Sequence, residues 1–162
     1  MNNYLTFISP IGYLTLVENN GFIIELKLKV ETNDYLDSPT TLLTTAKAQL
    51  EEYFEKKRAN FTFPLLAIGT PFQEKAWKAL LTIPYGQTIC YQEQAIIMGN
   101  GKAQRAVGGA NNKNPLPIII PCHRVIGKSG KLVGYGEGLS IKEYLLNLEK
   151  ENSSLYTSQK LL

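Results

Sequence analysis

Residues 91–110 read Tyr-Gln-Glu-Gln-Ala-Ile-Ile-Met-Gly-Asn-Gly-Lys-Ala-Gln-Arg-Ala-Val-Gly-Gly-Ala. Tyr91 to Met98 predicts one short helix, Gly99-Asn100-Gly101 a turn, and Lys102 to Ala110 a second helix, which together make a helix-turn-helix candidate. The second helix is unusual, because adjacent Gly108 and Gly109 cost roughly 1 kcal/mol each relative to alanine in a helix interior. Close approach of the backbone to another surface would compensate, and the residues leave open whether that surface is a neighbouring helix or a nucleic-acid groove.

Upstream, Thr70 is placed to cap a helix with Pro71 at its first position and Gln73 just behind. Phe72, Ala76, Trp77, Leu80 and Leu81 are expected on its apolar face, and Pro84-Tyr85-Gly86 ends it. Downstream, the apolar run Pro115 to Pro121 is expected as a buried extended segment that delivers Cys122 into the interior or a cleft. Val125-Ile126 and Leu132-Val133 flank Lys128 to Lys131 as a small hairpin. Ser140 is expected to cap a last helix, with Glu143 at capping-box distance and Ile141, Tyr144, Leu145 and Leu148 on its apolar face. Residues 152–162 read as a polar tail.

The N-terminal part has a different texture. Tyr4 to Ser9, Tyr13 to Glu18 and Phe22 to Leu28 alternate apolar and polar residues, with Asn20-Gly21 as a hairpin signal, so a three-strand meander is expected. Leu42, Leu43, Ala46, Leu50 and Tyr53, within Thr41 to Lys57, then fall at helical spacing. Phe63-Pro64 through Gly69-Thr70-Pro71 has the punctuation of a linker. The domains expected are thus 1–68, an α+β unit, and 69–151, with the tail beyond.

Charge changes sign near that linker. Residues 1–68 hold 6 basic and 8 acidic side chains, and residues 69–162 hold 11 and 6, so the halves stand at −2 and +5. A basic half fits a polyanionic partner, although a surplus of this size also occurs on proteins that never meet nucleic acid. No apolar stretch is long enough to cross a bilayer, and the first ten residues lack the pattern of a secretory signal, so a cytoplasmic protein without membrane contact is expected. Cys90 and Cys122 imply no disulfide framework. Together with the single histidine, His123, they supply too few soft ligands for an ordinary four-ligand zinc site, and no metal is expected.

Pro121-Cys-His-Arg-Val125 is the most informative pentapeptide. A thiol with a pKa of about 8.5 needs a base or a positive field to become a nucleophilic thiolate, and His123 is the only neutral-pH base in the chain. In an extended segment adjacent side chains point to opposite faces, so a bridging water would be needed between Cys122 and His123. Glu149 on the last helix is a candidate to orient the imidazole. On these residues alone, Cys122 is either a nucleophile or a buried structural cysteine.

The run Pro115 to Gly127 closely resembles the active-site segment of the methylated-DNA–protein-cysteine methyltransferases, or O6-alkylguanine-DNA alkyltransferases. The resemblance continues through Thr70 to Gln73, Trp77, Ile83 to Gly86, Arg105 to Ala110, Asn114-Pro115, Tyr135 to Leu139 and Lys142-Glu143, while the first 68 residues match only in general pattern. It implies an α+β protein with a small ribonuclease-H-like N-terminal domain and a winged-helix-like C-terminal domain that binds duplex DNA containing alkylated guanine through the minor groove. It further implies that the damaged nucleotide is flipped out, because a buried sulfur cannot reach O6 inside the stack. The alkyl group of O6-alkylguanine, with O4-alkylthymine a further substrate, would pass irreversibly to Cys122 in a single turnover without a cofactor, in a protein that acts as a monomer.

By the same resemblance Arg105 enters the base stack and Tyr91 helps rotate the nucleotide out. A helix lined by Ala103, Ala106, Gly109 and Ala110 lies against the sugar-phosphate walls, and Lys102 contacts phosphate. Tyr135 and the backbone of Gly136 line the base pocket, Asn114 holds the active-site segment in register, and Glu149, His123 and a water remove the Cys122 proton. Arg124 is read as an anchor to a carboxylate or carbonyl. Glu137 is an acidic departure in the substrate loop, and Cys90, where a small hydroxyl residue is common, is read as a packing residue. The other readings weighed are a lesion sensor without catalysis, a helix-turn-helix regulator and a thiol hydrolase; the first conflicts with Cys122, and the second leaves the Cys-His segment unexplained.

Overall fold

Alternating strand residues and a left-handed Asn-Gly turn build the first unit. In the computed structural model, which describes residues 2–28 and 37–153, β1 (Asn3–Ser9), β2 (Gly12–Asn19) and β3 (Phe22–Lys27) form an antiparallel sheet in that order. Asn20 and Gly21 both have positive φ, 50° and 80°, as a tight hairpin matched to strand twist requires. Strict alternation fails in β2, where Leu14 to Glu18 are all buried. A register shift between Val17 and Glu18 accompanies this, and the polar members are satisfied. Thr15 meets the Thr6 hydroxyl at 2.9 Å, and Glu18 accepts from Asn3 at 2.9 Å and Thr40 at 3.0 Å. Thr40 in turn caps α1 (Thr41–Phe54), whose Leu43, Ala46, Leu50 and Tyr53 are buried. The helix stops three residues before Lys57, with Lys56 at a φ of 64°.

The contacts divide the chain between residues 68 and 69. In the second unit, α2 (Pro71–Leu80) has the full Thr70/Gln73 capping box with Pro71 at its start. Its inner face is Ala76, Trp77, Ala79 and Leu80, whereas Phe72 and Leu81 are 38% and 51% exposed, so the expected apolar face was phased too widely. β4 (Ile89–Cys90) leads into α3 (Tyr91–Ile97), and α4 follows at Gln104–Asn112. Lys102 therefore precedes the helix instead of opening it: its N–H donates to the Asn100 side chain at 3.1 Å, and that of Ala103 to the Asn100 carbonyl at 3.1 Å, which prolongs the turn.

Ala76, Ala79, Ala95, Met98, Val107 and Ala110 form the core between these three helices, with Ala103 packed against it. Inside it, Gln94 and Asn111 exchange amide hydrogen bonds of 2.9 and 2.8 Å, and Gln94 also donates to the Ala76 carbonyl. The Trp77 indole N–H donates to the Ala110 carbonyl at 2.9 Å. These bonds satisfy buried polar groups and fix α3 and α4 on α2. Ala103 and Ala110 thus face inward, and the outer face of α4 is carried by Arg105, Ala106 and Gly109.

The segment from 115 to 121 is buried but not extended. The Ile120 N–H returns to the Leu116 carbonyl at 2.8 Å, Ile118 has a φ of 74°, and the Cys122 N–H bonds the Ile120 carbonyl at 2.8 Å across Pro121. Three prolines deprive the run of the donors a sheet ladder needs, so it satisfies itself in turns. Cys122–Arg124 then form a 3-10 turn. β5 (Val125–Ile126) pairs in parallel with β4, not with Leu132-Val133. The Gly127 N–H closes the 127–131 turn on the Lys131 carbonyl at 2.8 Å, but no strand returns from it.

The final helix, α5 (Leu139–Glu151), begins one residue before Ser140, capped by Gly138 at a φ of 106°. Its buried residues are Lys142, Leu145, Leu148 and Glu149, while Tyr144 is 37% exposed. Of the expected tail, residues 154–162 lie outside the described residues.

Candidate active site and nucleic-acid interface

The reactive centre starts from Asn114, just past the end of α4. Its side-chain carbonyl accepts from the Leu116 N–H at 2.9 Å and its amide donates to the Ile120 carbonyl at 2.8 Å, so one side chain clasps both ends of the proline-rich turn. The turn presents Cys122 in the interior, 8% exposed. Burial pushes its thiol up to about 11, opposed by a hydrogen bond from Asn114 and the charge of Lys142 and reinforced by Glu137. At neutral pH the resting sulfur is therefore a thiol, and its chemistry requires that the proton be taken away.

The candidate base, His123, stands next in sequence. It is fully buried, and its Nε2 lies 2.6 Å from a Glu149 carboxylate oxygen. Burial holds the imidazole pKa below its ordinary value against the pull of Glu149. Arg124 acts in the same direction as burial: its Nε and Nη2 donate to the two Glu149 oxygens at 2.7 and 3.1 Å, so the carboxylate already has a counter-charge. Burial alone would raise the Glu149 carboxyl, but His123 and Arg124 outweigh it and hold it far below the usual range. His123 is accordingly neutral, with Nε2–H donating to Glu149 and the lone pair left on Nδ1. Nδ1 is buried with no hydrogen-bond partner among the described residues. Arg124 also donates to the Ile83 carbonyl at 2.8 Å, and the Gly86 N–H reaches Glu149 at 3.3 Å.

A third group arrives from α5. The Lys142 ammonium is buried and donates to the Val125 carbonyl at 2.6 Å and the Val133 carbonyl at 2.8 Å, tying the cysteine turn to the loop at 133–138. Burial lowers its pKa to about 8. That loop carries Tyr135, Gly136 and Glu137 in a turn closed by the Gly138 N–H on the Tyr135 carbonyl at 3.1 Å. The Tyr135 hydroxyl is buried without a partner among the described residues, and burial, then Cys122 and Glu137, raise its pKa.

Beside this centre lies a cavity of about 510 Å³ whose wall includes Cys90, Tyr91, Arg105, Gly108, Lys128 and Gly134. Arg105 is exposed in the first turn of α4. Tyr91 opens α3, its hydroxyl donating to the Val133 and Gly134 carbonyls at 3.1 and 3.3 Å, with burial and the nearby Cys122 raising its pKa. The two adjacent glycines divide the roles left open by the sequence. A Cβ on Gly108 would stand 3.7 Å from the Tyr91 ring, whereas one on Gly109 would meet nothing within 4 Å. Cys90 is half-buried in the cavity wall instead of packed in the core, and its N–H is capped by Glu93 at 3.0 Å.

Residues 71–151 match the family model "6-O-methylguanine DNA methyltransferase, DNA binding domain", and residues 3–67 match its "ribonuclease-like domain". The chain belongs to the methylated-DNA–protein-cysteine methyltransferase family. It is 45% identical over 161 residues to the constitutive methyltransferase of Bacillus subtilis, covering 93% of this chain and 96% of that one. It is 47% identical over 150 residues to the enzyme of Methanosarcina barkeri, covering 89% and 94%. A crystal structure of Mycobacterium tuberculosis OGT in complex with DNA superposes with a TM-score of 0.86 at 46% identity, covering 93% of this chain and 94% of that one. The activity is that of the family, direct transfer of an alkyl group from DNA to a protein cysteine, which makes the protein a DNA-repair enzyme.

Cys122, His123, Glu149 and Asn114 converge on one centre, Tyr91 and Arg105 share the cavity wall, and Tyr135 and Gly136 lie on the adjoining loop. Lys102 is exposed in the turn before α4, outside the cavity wall, and Ala106 and Gly109 lie on the outer face of α4. Lys142 was not singled out from sequence. Its signal was present, since Lys142, Leu145 and Glu149 are spaced three and four apart and share one face of α5.

Proposed function

We propose that Cys122 is the alkyl acceptor, that His123 removes its proton through a water at Nδ1, and that Glu149 holds the imidazole in the tautomer this requires. The observation that carries the reading is the buried, unpartnered Nδ1 of a neutral imidazole whose other nitrogen is fixed 2.6 Å from a carboxylate. A water there would satisfy that buried nitrogen. The sulfur then attacks the alkyl carbon of O6-alkylguanine, with O4-alkylthymine a further substrate. The S–C bond forms, the C–O bond breaks with its electron pair on the base, and the departing base takes up one proton, balanced by the one that His123 removed from Cys122. A thiolate is a poor leaving group from a thioether carbon, so the alkyl group stays on Cys122 and each molecule acts once.

The duplex lies with its minor groove against the outer face of α4, where Ala106 and Gly109 keep the surface low. Arg105 fills the space the damaged nucleotide leaves, Tyr91 contacts the flipped nucleotide, and Tyr135 and the Gly136 backbone line its base, while Lys102 contacts phosphate. Asn114 keeps the cysteine turn in register, and the protein binds as a monomer. A cytoplasmic location belongs to the same reading, since both free thiols need reducing surroundings. The domains of this reading are 1–68, 69–151 and the tail.

Incubation with methylated duplex should raise the protein mass by one methyl group at Cys122, and Cys122→Ala should abolish transfer while it still binds the duplex. Stoichiometric transfer to Cys90 in the variant would overturn the assignment. Retained binding with no mass change in the unaltered protein would favour the lesion sensor.

A further inference from the structure

Tyr91 is engaged before any DNA arrives. Its single hydroxyl proton is shared between two carbonyls, Val133 at 3.1 Å and Gly134 at 3.3 Å. The Val133 carbonyl is a junction, because it also accepts from Lys142 at 2.8 Å, and Lys142 is anchored on the Val125 carbonyl at 2.6 Å beside the cysteine turn. One side of the junction is therefore fixed to a buried ammonium and the other to a tyrosine at the start of α3. Gly134 makes the second contact possible: its φ is +60°, and a Cβ there would lie 3.0 Å from the Tyr91 hydroxyl oxygen. Tyr91, Val133 and Gly134 all belong to the wall of the cavity that holds Arg105, whereas Cys122 does not line that wall.

We propose that Tyr91 is a positioning residue with a second role, a latch whose hydroxyl holds the 133–138 loop between the cavity and Cys122 in the DNA-free protein and releases it when a nucleotide enters. A hydroxyl carries one proton, so it cannot donate to the loop carbonyls and to an acceptor atom of a nucleotide together. A base that engages Tyr91 therefore frees the loop carrying Tyr135 and Gly136 to close on that base. A shared hydrogen bond of this length has a small net strength, which suits a contact that must open. The last step rests on the reading that Tyr91 contacts the flipped nucleotide, but the latch itself is a property of the free protein.

Hydrogen exchange of the DNA-free protein tests it. Tyr91→Phe keeps the ring against Gly108 and removes only the hydroxyl, so in the DNA-free protein the amides of residues 134–138 should exchange roughly two- to tenfold faster, the span expected for one net hydrogen bond. Labelling of Cys122 by iodoacetamide, read on its own peptide to separate it from Cys90, should accelerate by a similar factor. Gly134→Ala should produce the same two changes from the other side of the contact. Unchanged loop exchange and unchanged Cys122 labelling in folded Tyr91→Phe would overturn the latch. Slower duplex repair with unchanged loop exchange would also overturn it and leave the nucleotide role standing. Faster exchange with unimpaired duplex repair would keep the latch and remove the nucleotide role.

Discussion

Glu149 meets His123, Arg124 and the Gly86 backbone in a buried site, so the residue proposed to orient the base also neutralises a cation and pins a turn. Glu149→Gln is thus expected to cost stability as well as rate. It leaves the Arg124 guanidinium without its counter-charge in the interior, a loss of roughly 3 kcal/mol, and it removes the anion that supports imidazolium formation during transfer. Because the folded-state pKa of Glu149 lies below its unfolded value, its stabilisation is full at neutral pH. It declines as pH falls below the ordinary carboxylate range toward the folded value. Urea unfolding of the unaltered protein and the variant at neutral and acidic pH should give curves that differ most at neutral pH and converge on acidification. A gap that does not narrow in acid would mean that packing, not charge, explains the loss.

At the scale of elements, Gly109 separates folding from function. Nothing stands within 4 Å of a Cβ placed there, so Gly109→Ala should stabilise the free protein by up to about 1 kcal/mol through helix propensity. If the groove walls press on that face, the same methyl group should weaken duplex binding, and thermal melting beside a binding titration reads both. Tighter binding or unchanged affinity in the stabilised variant would remove α4 from the DNA surface. The elements most legible in sequence were those with local causes: the Asn20-Gly21 hairpin, the Thr70 capping box and the helices around the Gly99 turn. The misread ones have non-local causes. Val125-Ile126 pairs with Ile89-Cys90, which lie far upstream, and the proline-rich run folds into turns because the Asn114 side chain clasps its two ends. Likewise, Lys142 becomes conspicuous only once Val125 and Val133 are seen to place carbonyls on either side of it.

On the scale of the whole molecule, the halves carry −2 and +5, so the electrostatic footprint for DNA lies in the second half of the chain. That field draws in any phosphate backbone and does not by itself select a damaged base. Selection belongs to the step that takes the nucleotide out of the stack, and the role proposed for Arg105, which is exposed on α4 and shares the cavity wall with Lys128, belongs to that step. Arg105→Ala should slow repair of methylated duplex by at least roughly tenfold, since extrusion costs a few kcal/mol and each 1.4 kcal/mol of barrier is tenfold in rate. Its reaction with the free base O6-benzylguanine, which needs no extrusion, should change little. Lys102→Ala is the control, because Lys102 is exposed and outside the cavity wall. Loss of one phosphate contact there should weaken binding and reduce the salt slope by about one counterion without altering the rate once the DNA is saturated with protein. Single-turnover rates at saturating protein isolate extrusion and chemistry from binding. Equal slowing of the free-base and duplex reactions by Arg105→Ala would assign the residue to the pocket or the fold and end its role in extrusion.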